Sequence, residues 1–383
     1  MYSEKMKFFE PSIFIRVREA ISACQLPVCD LSVGTPDLPP AKHIIDALVE
    51  SCADPENYKY ALADTKALKD AVVLWYKRRF SVDLNHENIC GLIGSQDGLA
   101  HLPLMLLNPG DNMMIPNPGY PSFYTGPRLA SANILFTPLH EENGYLVDYE
   151  KISPTVAHSV KLLIISYPAN PLGRLAPIEF FEKTVWFAKK YGVHVIHDNA
   201  YGELTFDGAI GASFLEVKGA ADVGVEFNSL SKSYNLTGVR ISFMLGNPDI
   251  CAALTRLKSN IDYGIFKPVQ AMAVAAITGP QDCLTDLRAE YQLRRDALCG
   301  ALSDGGWNVT RPHGSMFAWA KLPDRYPDSY EFVFNLIKAT GVALVPGVSF
   351  GSMGEGHVRI GLVKPADEIE SAAHKIAAFM RGV

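Results

Sequence analysis

A single lysine, Lys232, stands among small hydroxyl residues just after an apolar run, in the stretch SLSKSYNLTGVR from Ser229 to Arg240. A lysine amine can attack a carbonyl as a nucleophile, anchor a small molecule, or remain a solvated surface charge. Arg240 follows eight residues later, behind a Thr-Gly pair. Because an arginine is suited to holding a phosphate, the stretch offers an amine and an anion receptor together.

The segments that position these residues alternate between short β-rich runs and helical patterns. An apolar run at 160–168 precedes a helical pattern at 177–192, which has Pro at its start and Gly at its end. Further strands are predicted at 193–198, 223–229 and 239–245. This order predicts an α/β fold with a mostly parallel sheet, flanked by helices and joined by right-handed crossovers.

Polar residues follow these strands, and ligands of open parallel sheets bind at the carboxyl ends of the strands. The residues come in this order: Asn170, then Asp198 and Tyr201, then Ser229, Ser231 and Lys232, with Arg240 beyond. Because they follow neighbouring strands, we expect their side chains to converge at one edge of the sheet.

Two upstream segments add an anion site and an aromatic ring. Gly94, Ser95 and Gln96 open a predicted helix after a short apolar strand, and the free amides at a helix N-terminus bind anions. A serine in this position is also a common N-cap, so the motif alone is weak. Tyr120 lies in a Pro-rich turn after another predicted strand.

This set of groups matches the chemical needs of pyridoxal phosphate. The aldehyde of that cofactor needs a lysine for a Schiff base, and its pyridine nitrogen needs a carboxylate, because only the protonated ring is a strong electron sink. The ring needs an aromatic partner. The phosphate needs helix amides, a hydroxyl and usually an arginine. We therefore expect pyridoxal phosphate bound covalently to Lys232.

The ordered motifs YPANPLG, HDNAYGEL, SLSKSYNLTGVR and VRIGLV resemble those of the class I/II, fold-type I aminotransferases over nearly the whole chain. Stretches such as IGSQDGLAHLPLMLLNPGD and SNIDYGIFKPVQ are similar to the bacterial branch that includes LL-diaminopimelate and aspartate-aminotransferase-like enzymes. The resemblance implies ping-pong transfer of an amino group from an L-amino acid, such as LL-diaminopimelate or a dicarboxylic amino acid, to a 2-oxo acid such as 2-oxoglutarate. It also implies a homodimer with shared active sites and a role in amino-acid metabolism, with lysine biosynthesis as one expectation.

The resemblance further implies a role for individual residues. Lys232 would hold the cofactor and then move the proton of the substrate Cα, while Asp198 would pair with the ring nitrogen. The other cofactor contacts would be Asn170 and Tyr201 at the 3′ oxygen, Tyr120 stacked on the ring, Ser95, Gln96, Ser229 and Arg240 at the phosphate, and Tyr60 reaching the phosphate from the partner subunit. The substrate α-carboxylate would bind Arg359, beside Asn170 and the backbone of Gly34.

Three other functions remain open at this point. Ser229-Leu230-Ser231-Lys232 matches the Ser-x-x-Lys motif of penicillin-recognising hydrolases, but the companion Ser-Asp-Asn and Lys-Thr-Gly motifs are missing. A carbon–sulfur lyase or a decarboxylase on the same fold would use the same Lys232 and Asp198. A non-catalytic sensor that binds pyridoxal phosphate would add a basic DNA-binding domain, for which too few residues precede LSVGTPD.

The composition of the chain excludes several classes of protein. Hydrophobic residues make up 48% of the 383 residues and charged residues 20%, as in ordinary globular proteins, and the net charge is -6. The scattered basic residues predict no binding to nucleic acid or anionic membranes, and no apolar run approaches a membrane span. Seven cysteines without a C-x-x-C pair fit a reducing cytoplasm. His194 and His197 point to opposite faces of their strand, so we expect no metal site there.

The pattern of predicted helices and strands changes near residue 280. A long amphipathic helical pattern closed by Gly-Gly is followed by the predicted strand MFAWAKL, a helix at about 329–340 and the strand HVRIGLV. We expect an N-terminal arm that contributes to the small domain at 1–40, a large cofactor-binding domain at 41–280, and a small α+β domain at 281–383.

Overall fold

The computed structural model describes residues 2–9 and 13–382. In this part of the chain twelve strands form three sheets, and in chain order they are β1 (Cys29–Asp30), β2 (Ile89–Leu92), β3 (Asn112–Asn117), β4 (Asn133–Pro138), β5 (Val160–Ser166), β6 (His194–Asn199), β7 (Gly224–Ser229), β8 (Ser242–Gly246), β9 (Phe317–Lys321), β10 (Val342–Ala343), β11 (Val345–Pro346) and β12 (His357–Gly361).

Fourteen α-helices occur in the same residues, and in chain order they are α1 (Ile13–Ala23), α2 (Lys42–Cys52), α3 (Lys66–Phe80), α4 (Ser95–Leu106), α5 (Thr125–Ala130), α6 (Pro154–Ser159), α7 (Ile178–Tyr191), α8 (Ala220–Val223), α9 (Leu230–Ser233), α10 (Pro248–Lys258), α11 (Lys267–Thr278), α12 (Asp282–Asp304), α13 (Ser329–Thr340) and α14 (Ala366–Arg381). Within these residues, no helix combines the length with the apolar character of a membrane span.

The large sheet has seven strands in the order β2-β8-β7-β6-β5-β3-β4. Neighbouring strands in this sheet are parallel, except that β8 runs antiparallel to both β2 and β7. The interior strand β5 is buried along most of its length because helices cover both faces of the sheet, as is usual for parallel strands. The predicted α/β class with a mostly parallel sheet is confirmed.

Local signals explain where the flanking helices begin and end. Helix α7 starts directly after Pro177, whose fixed φ suits a helix start, and ends at Gly192, which adopts a left-handed φ of 71°. Its buried face includes Phe180, Phe181 and Val185. This matches the helix predicted at 177–192.

The strand predicted at 239–245 is wrong at its start, because β8 begins at Ser242. Arg240 has a φ of 62°, in the left-handed region that an extended strand does not use. The backbone therefore turns at Arg240 before the strand can form. This turn is in the same stretch as Lys232, so it helps to set the direction of the arginine side chain.

The chain before Gly34 pairs with strands near the C-terminus. β1 lies parallel to β10, while β11, β12 and β9 form an antiparallel sheet of three strands. Leu31 bonds to both neighbours: its amide donates to Ala343 O over 2.9 Å, and its carbonyl accepts from Gly361 N over 2.7 Å. The segment just before Gly34 is thereby tied to β12, the strand that carries Arg359.

Candidate active site

One cavity of about 560 Å³ lies where β5, β6 and β7 end. Eleven of the twelve residues predicted from the sequence line it, namely Gly34, Ser95, Gln96, Tyr120, Asn170, Asp198, Tyr201, Ser229, Lys232, Arg240 and Arg359. Tyr60 does not line this cavity: its side chain is 80% exposed, and its ring lies 5.4 Å from that of Tyr263.

Lys232 stands on the short helix α9, directly after β7. Ser229 caps this helix, because its Oγ accepts a hydrogen bond from Ser231 N over 3.2 Å. The Lys232 ammonium donates to the carbonyl of Gly34. Burial, together with the positive charges of Arg359 and Arg240, lowers the pKa of Lys232 from 10.5 to about 8. About one tenth of this amine is therefore neutral, and nucleophilic, at pH 7, far more than at the ordinary pKa of 10.5.

Asp198 lies near the carboxyl end of β6 and is 6% exposed. Burial raises the pKa of its carboxyl group from 3.8 to about 6, although the nearby His197 opposes the shift. Its Oδ1 has no hydrogen-bond partner among the described residues. A buried carboxylate in this state calls for a cation or a donor from a ligand. The neighbouring Tyr201 is also buried, and burial raises the pKa of its phenol.

The N-terminus of α4 brings groups suited to binding an anion to the cavity. Gly94 precedes the helix with a left-handed φ of 73°, and the guanidinium of Arg240 lies so close to it that a Cβ there would collide. Ser95 Oγ is buried and has no hydrogen-bond partner within the described chain. Free helix amides, a serine hydroxyl and an arginine at one point are the groups that bind a phosphate.

Arg359 projects from β12 and is almost completely buried. Its Nη1 donates to Asn170 Oδ1 over 3.1 Å, and its Nη2 donates to Ser32 O over 2.8 Å. The guanidinium carbon lies 4.0 Å from the ring centroid of Phe317. Burial lowers the pKa of Arg359 to about 10, and its Nε has no partner among the described residues. A buried arginine without a carboxylate neighbour is suited to receive one from a ligand.

The sequence analysis missed several residues of this cavity. They come from α1, from the segment after β1, from the turn before Arg240, and from β9, and they include Phe14, Arg18, Val33, Thr35, Thr237 and Phe317. Thr237 lies inside SLSKSYNLTGVR but was given no role, and Phe14 and Arg18 belong to no motif. The one available signal was the spacing of Phe14 and Arg18, which are four residues apart and therefore share a face of a helix.

The cavity fits pyridoxal phosphate on three independent observations. Ser95 Oγ, Asp198 Oδ1 and Arg359 Nε are buried polar atoms that lack partners in the described part of the chain, and all three residues line the cavity. They could serve a phosphate, a ring nitrogen and a substrate carboxylate respectively. Lys232 supplies the amine that would bind the aldehyde.

The residues with the spacing of metal ligands have other partners. Asp97, His101 and Asp262 form the one such group in the described residues, but the ammonium of Lys258 pairs with both carboxylates. His194 is exposed, whereas His197 is buried with Glu226 Oε2 2.8 Å from its Nδ1. Opposite orientation of the two histidines is what their spacing predicted.

Comparison with known proteins agrees with this geometry. Residues 27–376 match the family model described as aminotransferase class I and II. The chain is 40% identical to an LL-diaminopimelate aminotransferase of Dehalococcoides mccartyi, over 98% of each chain. It is 39% identical to an L-glutamine–4-(methylsulfanyl)-2-oxobutanoate aminotransferase of Bacillus subtilis, over 91% of this chain and 88% of that protein.

A solved structure of substrate-bound BacF from Bacillus subtilis has the same fold. It superposes with a TM-score of 0.96 at 35% identity, covering 99% of this chain and 98% of that one. Members of the matched family depend on pyridoxal phosphate, and the cavity described above has the groups to hold it. The chain therefore belongs to the class I and II aminotransferases and is a pyridoxal-phosphate-dependent enzyme.

Proposed function

We propose that the enzyme moves the amino group of an L-amino acid, with LL-diaminopimelate or a dicarboxylic amino acid as the donor, to a 2-oxo acid such as 2-oxoglutarate. The names of two similar aminotransferases, one acting on LL-diaminopimelate and one on L-glutamine, support an amino-acid donor. The observation that carries the proposal is the meeting of Lys232, Asp198 and Arg359 in one cavity, with an unpaired buried atom on each of the last two.

The cofactor's bound ring would supply the electron sink that makes a substrate Cα–H bond acidic. Asp198 would hold the proton of the ring nitrogen, since a cation beside its Oδ1 favours the charged carboxylate. Asn170 and Tyr201 would bond the ring's 3′ oxygen, and Tyr120 would stack on the ring. The phosphate would be bound by Ser95, Gln96, Ser229 and Arg240, which gather at the start of α4 and around α9.

Lys232 would act twice in each half-reaction, first as the covalent anchor and then as a base. Its lowered pKa supports both tasks, because attack on a carbonyl and removal of a proton each require the neutral amine. Its bond to Gly34 O places the amine on the side of the cavity where Arg359 lies. Arg359, oriented by Asn170 and Ser32, would bind the α-carboxylate and so present the Cα–H bond to Lys232.

We also propose that the enzyme is a homodimer in which Tyr60 reaches the phosphate site of the partner subunit. Tyr60 belongs to an exposed apolar patch made by two segments, whose members are Tyr58, Tyr60, Leu62, Ile261, Tyr263 and Phe266. Ring contacts join the segments, with Tyr58 5.5 Å from Phe266. An exposed patch of this composition is typical of a protein–protein interface.

We propose in addition a cytoplasmic location, a part in lysine biosynthesis, and the domain division at residues 40 and 280.

Mixing two inactive variants would test the shared site. Lys232→Ala and Tyr60→Ala subunits are each expected to be inactive or weak alone. In a mixed dimer, one site lacks both Lys232 and the partner's Tyr60, while the other site has both residues. Activity should therefore return on mixing. A monomer by light scattering, or mixtures without recovered activity, would contradict the shared site.

The transamination itself is tested with single amino acids. The purified, cofactor-loaded enzyme is mixed with one amino acid at a time, and conversion of the cofactor to its amine form is followed by absorbance. We expect conversion with some amino acids, return with 2-oxoglutarate, and loss of both with Lys232→Ala. Release of pyruvate without conversion would instead indicate a lyase, and unchanged activity of Lys232→Ala would overturn the proposal.

A further inference from the structure

The first helix contributes two neighbouring side chains to the wall of the active-site cavity. Phe14 and Arg18 both line it, and because they are four residues apart on α1 they lie on one face, one helical turn from each other. The ring of Phe14 lies 5.6 Å from the guanidinium carbon of Arg359. Arg18 is therefore held about 6 Å further along the helix axis than the residue that covers the α-carboxylate receptor.

Among the charged residues that line the cavity, Arg18 is the one to which the proposed function assigns no ligand group. The charged residues that line it are Arg18, Asp198, Lys232, Arg240 and Arg359. Under the proposed function, three of these cations and the carboxylate serve the cofactor and the α-carboxylate. Arg18 makes no side-chain hydrogen bond or ion pair within residues 2–9 and 13–382, and its side chain is exposed. It is thus a cation that lines the cavity and has no side-chain partner in the described part of the chain.

We propose that Arg18 binds a second carboxylate at the far end of the substrate. Arginine is suited to this task because its planar guanidinium can donate two parallel hydrogen bonds to a carboxylate. Asp198 is the one carboxylate among the described residues that line the cavity, and it faces the cofactor site, so no acidic group there competes for Arg18. This inference rests on the proposed function and narrows it to amino acids such as glutamate, aspartate and diaminopimelate.

The segment around Gly34 forms a further part of the cavity wall. Val33 and Thr35 flank Gly34, whose carbonyl accepts from Lys232, and both line the same wall. Gly34 itself has Phe317 so close that an added Cβ would lie 3.1 Å from the ring. The wall at Gly34 is therefore closely packed against Phe317.

The kinetic test compares Arg18→Gln with the matched control Arg16→Gln. Arg16 is exposed on the same helix and lies two residues away, so it does not share the face of Arg18 and does not line the cavity. We expect Arg18→Gln to lower kcat/KM for glutamate, aspartate or diaminopimelate by roughly 10- to 150-fold, the loss of hydrogen bonds to a charged group. The values for methionine and glutamine should remain within about twofold, as should all values for Arg16→Gln.

Two further measurements separate recognition from misfolding. Glutarate has two carboxylates and no amine, so by calorimetry it should bind the wild-type enzyme more tightly than butyrate does, and Arg18→Gln should abolish that difference. Charge reversal in Arg18→Glu should favour lysine, which has a distal ammonium, over glutamate. Equal losses for every amino acid would show a structural role and overturn the inference.

The outcomes also distinguish this inference from the proposed function. A wild-type enzyme that converts methionine and glutamine as readily as glutamate, with no effect of Arg18→Gln, remains an aminotransferase but refutes the carboxylate receptor. A wild-type enzyme that converts no amino acid refutes the proposed function itself, and the glutarate measurement still reports whether Arg18 binds a dicarboxylate.

Discussion

The guanidinium of Arg359 donates a hydrogen bond to Asn170 across 3.1 Å, joining the small antiparallel sheet to the end of β5 in the large sheet. A second hydrogen bond, to Ser32 O, fixes the same guanidinium from the N-terminal segment. Residues from three distant parts of the sequence thus orient one charge. In the proposed function, the position of this charge sets where the substrate carboxylate binds.

Replacement of this arginine by lysine should weaken substrate binding and leave cofactor binding intact. Lysine keeps the charge but cannot donate in the two parallel directions that a carboxylate accepts. We expect Arg359→Lys to lower kcat/KM roughly 10- to 100-fold, mainly through KM. The visible absorbance of the bound cofactor should be unchanged. The control is Arg311→Lys, an exposed substitution at the ion pair with Asp296, which should not change KM. An equal KM in the two variants would refute the proposed role of Arg359.

Asp198→Asn should stabilise the cofactor-free protein while abolishing most activity. Burial raises the pKa of Asp198 from 3.8 to about 6, so between these values the folded state binds more protons than the unfolded state. The free energy of unfolding therefore falls as the pH rises through this window, by about 3 kcal/mol for this group. Urea unfolding should show the variant more stable at pH 7, with the difference shrinking toward pH 4. A variant that is less stable at pH 7 would contradict this account.

The lowered pKa of Lys232 predicts how fast the cofactor-free enzyme captures pyridoxal phosphate. Only the neutral amine attacks an aldehyde, and burial with the charges of Arg359 and Arg240 lowers the pKa to about 8. The capture rate, followed by stopped-flow absorbance, should rise with pH and reach half its maximum near pH 8. Arg359→Gln removes one of the repelling charges, so its midpoint should move to higher pH. A midpoint near 10.5 in the wild type would refute the shift.

A buried network on the sheet should govern stability rather than chemistry. Glu226 accepts hydrogen bonds from Tyr76 over 2.6 Å, from Ser213 over 2.9 Å and from the amide of Phe214, and its other neighbour is His197. Burial alone would raise the pKa of Glu226, but the hydrogen bond and charge of His197, with the other donors, hold it below 4.5.

Glu226→Ala should therefore lower the free energy of unfolding by about 3–5 kcal/mol, because it leaves several buried donors unpaired. Since the folded pKa is depressed, the contribution of the glutamate is present above pH 4.5 and is lost as the pH falls through its folded pKa. Urea titrations at pH 7 measure the loss, with Glu150→Gln on the exposed surface as the control. An Ala variant as stable as this control would contradict the prediction.

Local patterns in the sequence predicted most elements, because their signals lie within a few residues. The helix expected at about 329–340 spans Ser329–Thr340, and the residues predicted at the strand ends line one cavity because parallel strands end at one edge. The start of β8 was wrong, since nothing nearby shows that Arg240 adopts a positive φ. Arg18 was missed because its position depends on where α1 packs, which is a long-range relationship.

The pairing of the N-terminal segment with β12 has a consequence for biosynthesis. Ser32 is translated 327 residues before Arg359, its hydrogen-bond partner, and the carbonyl of Leu31 accepts a bond from Gly361. The side of the cavity that contains Arg359 therefore cannot form until β12 has been translated. A nascent chain arrested before residue 357 should pair β1 with β10 but lack the bond from Arg359 to Ser32 and, even with Lys232 in place, the guanidinium proposed to bind the substrate carboxylate.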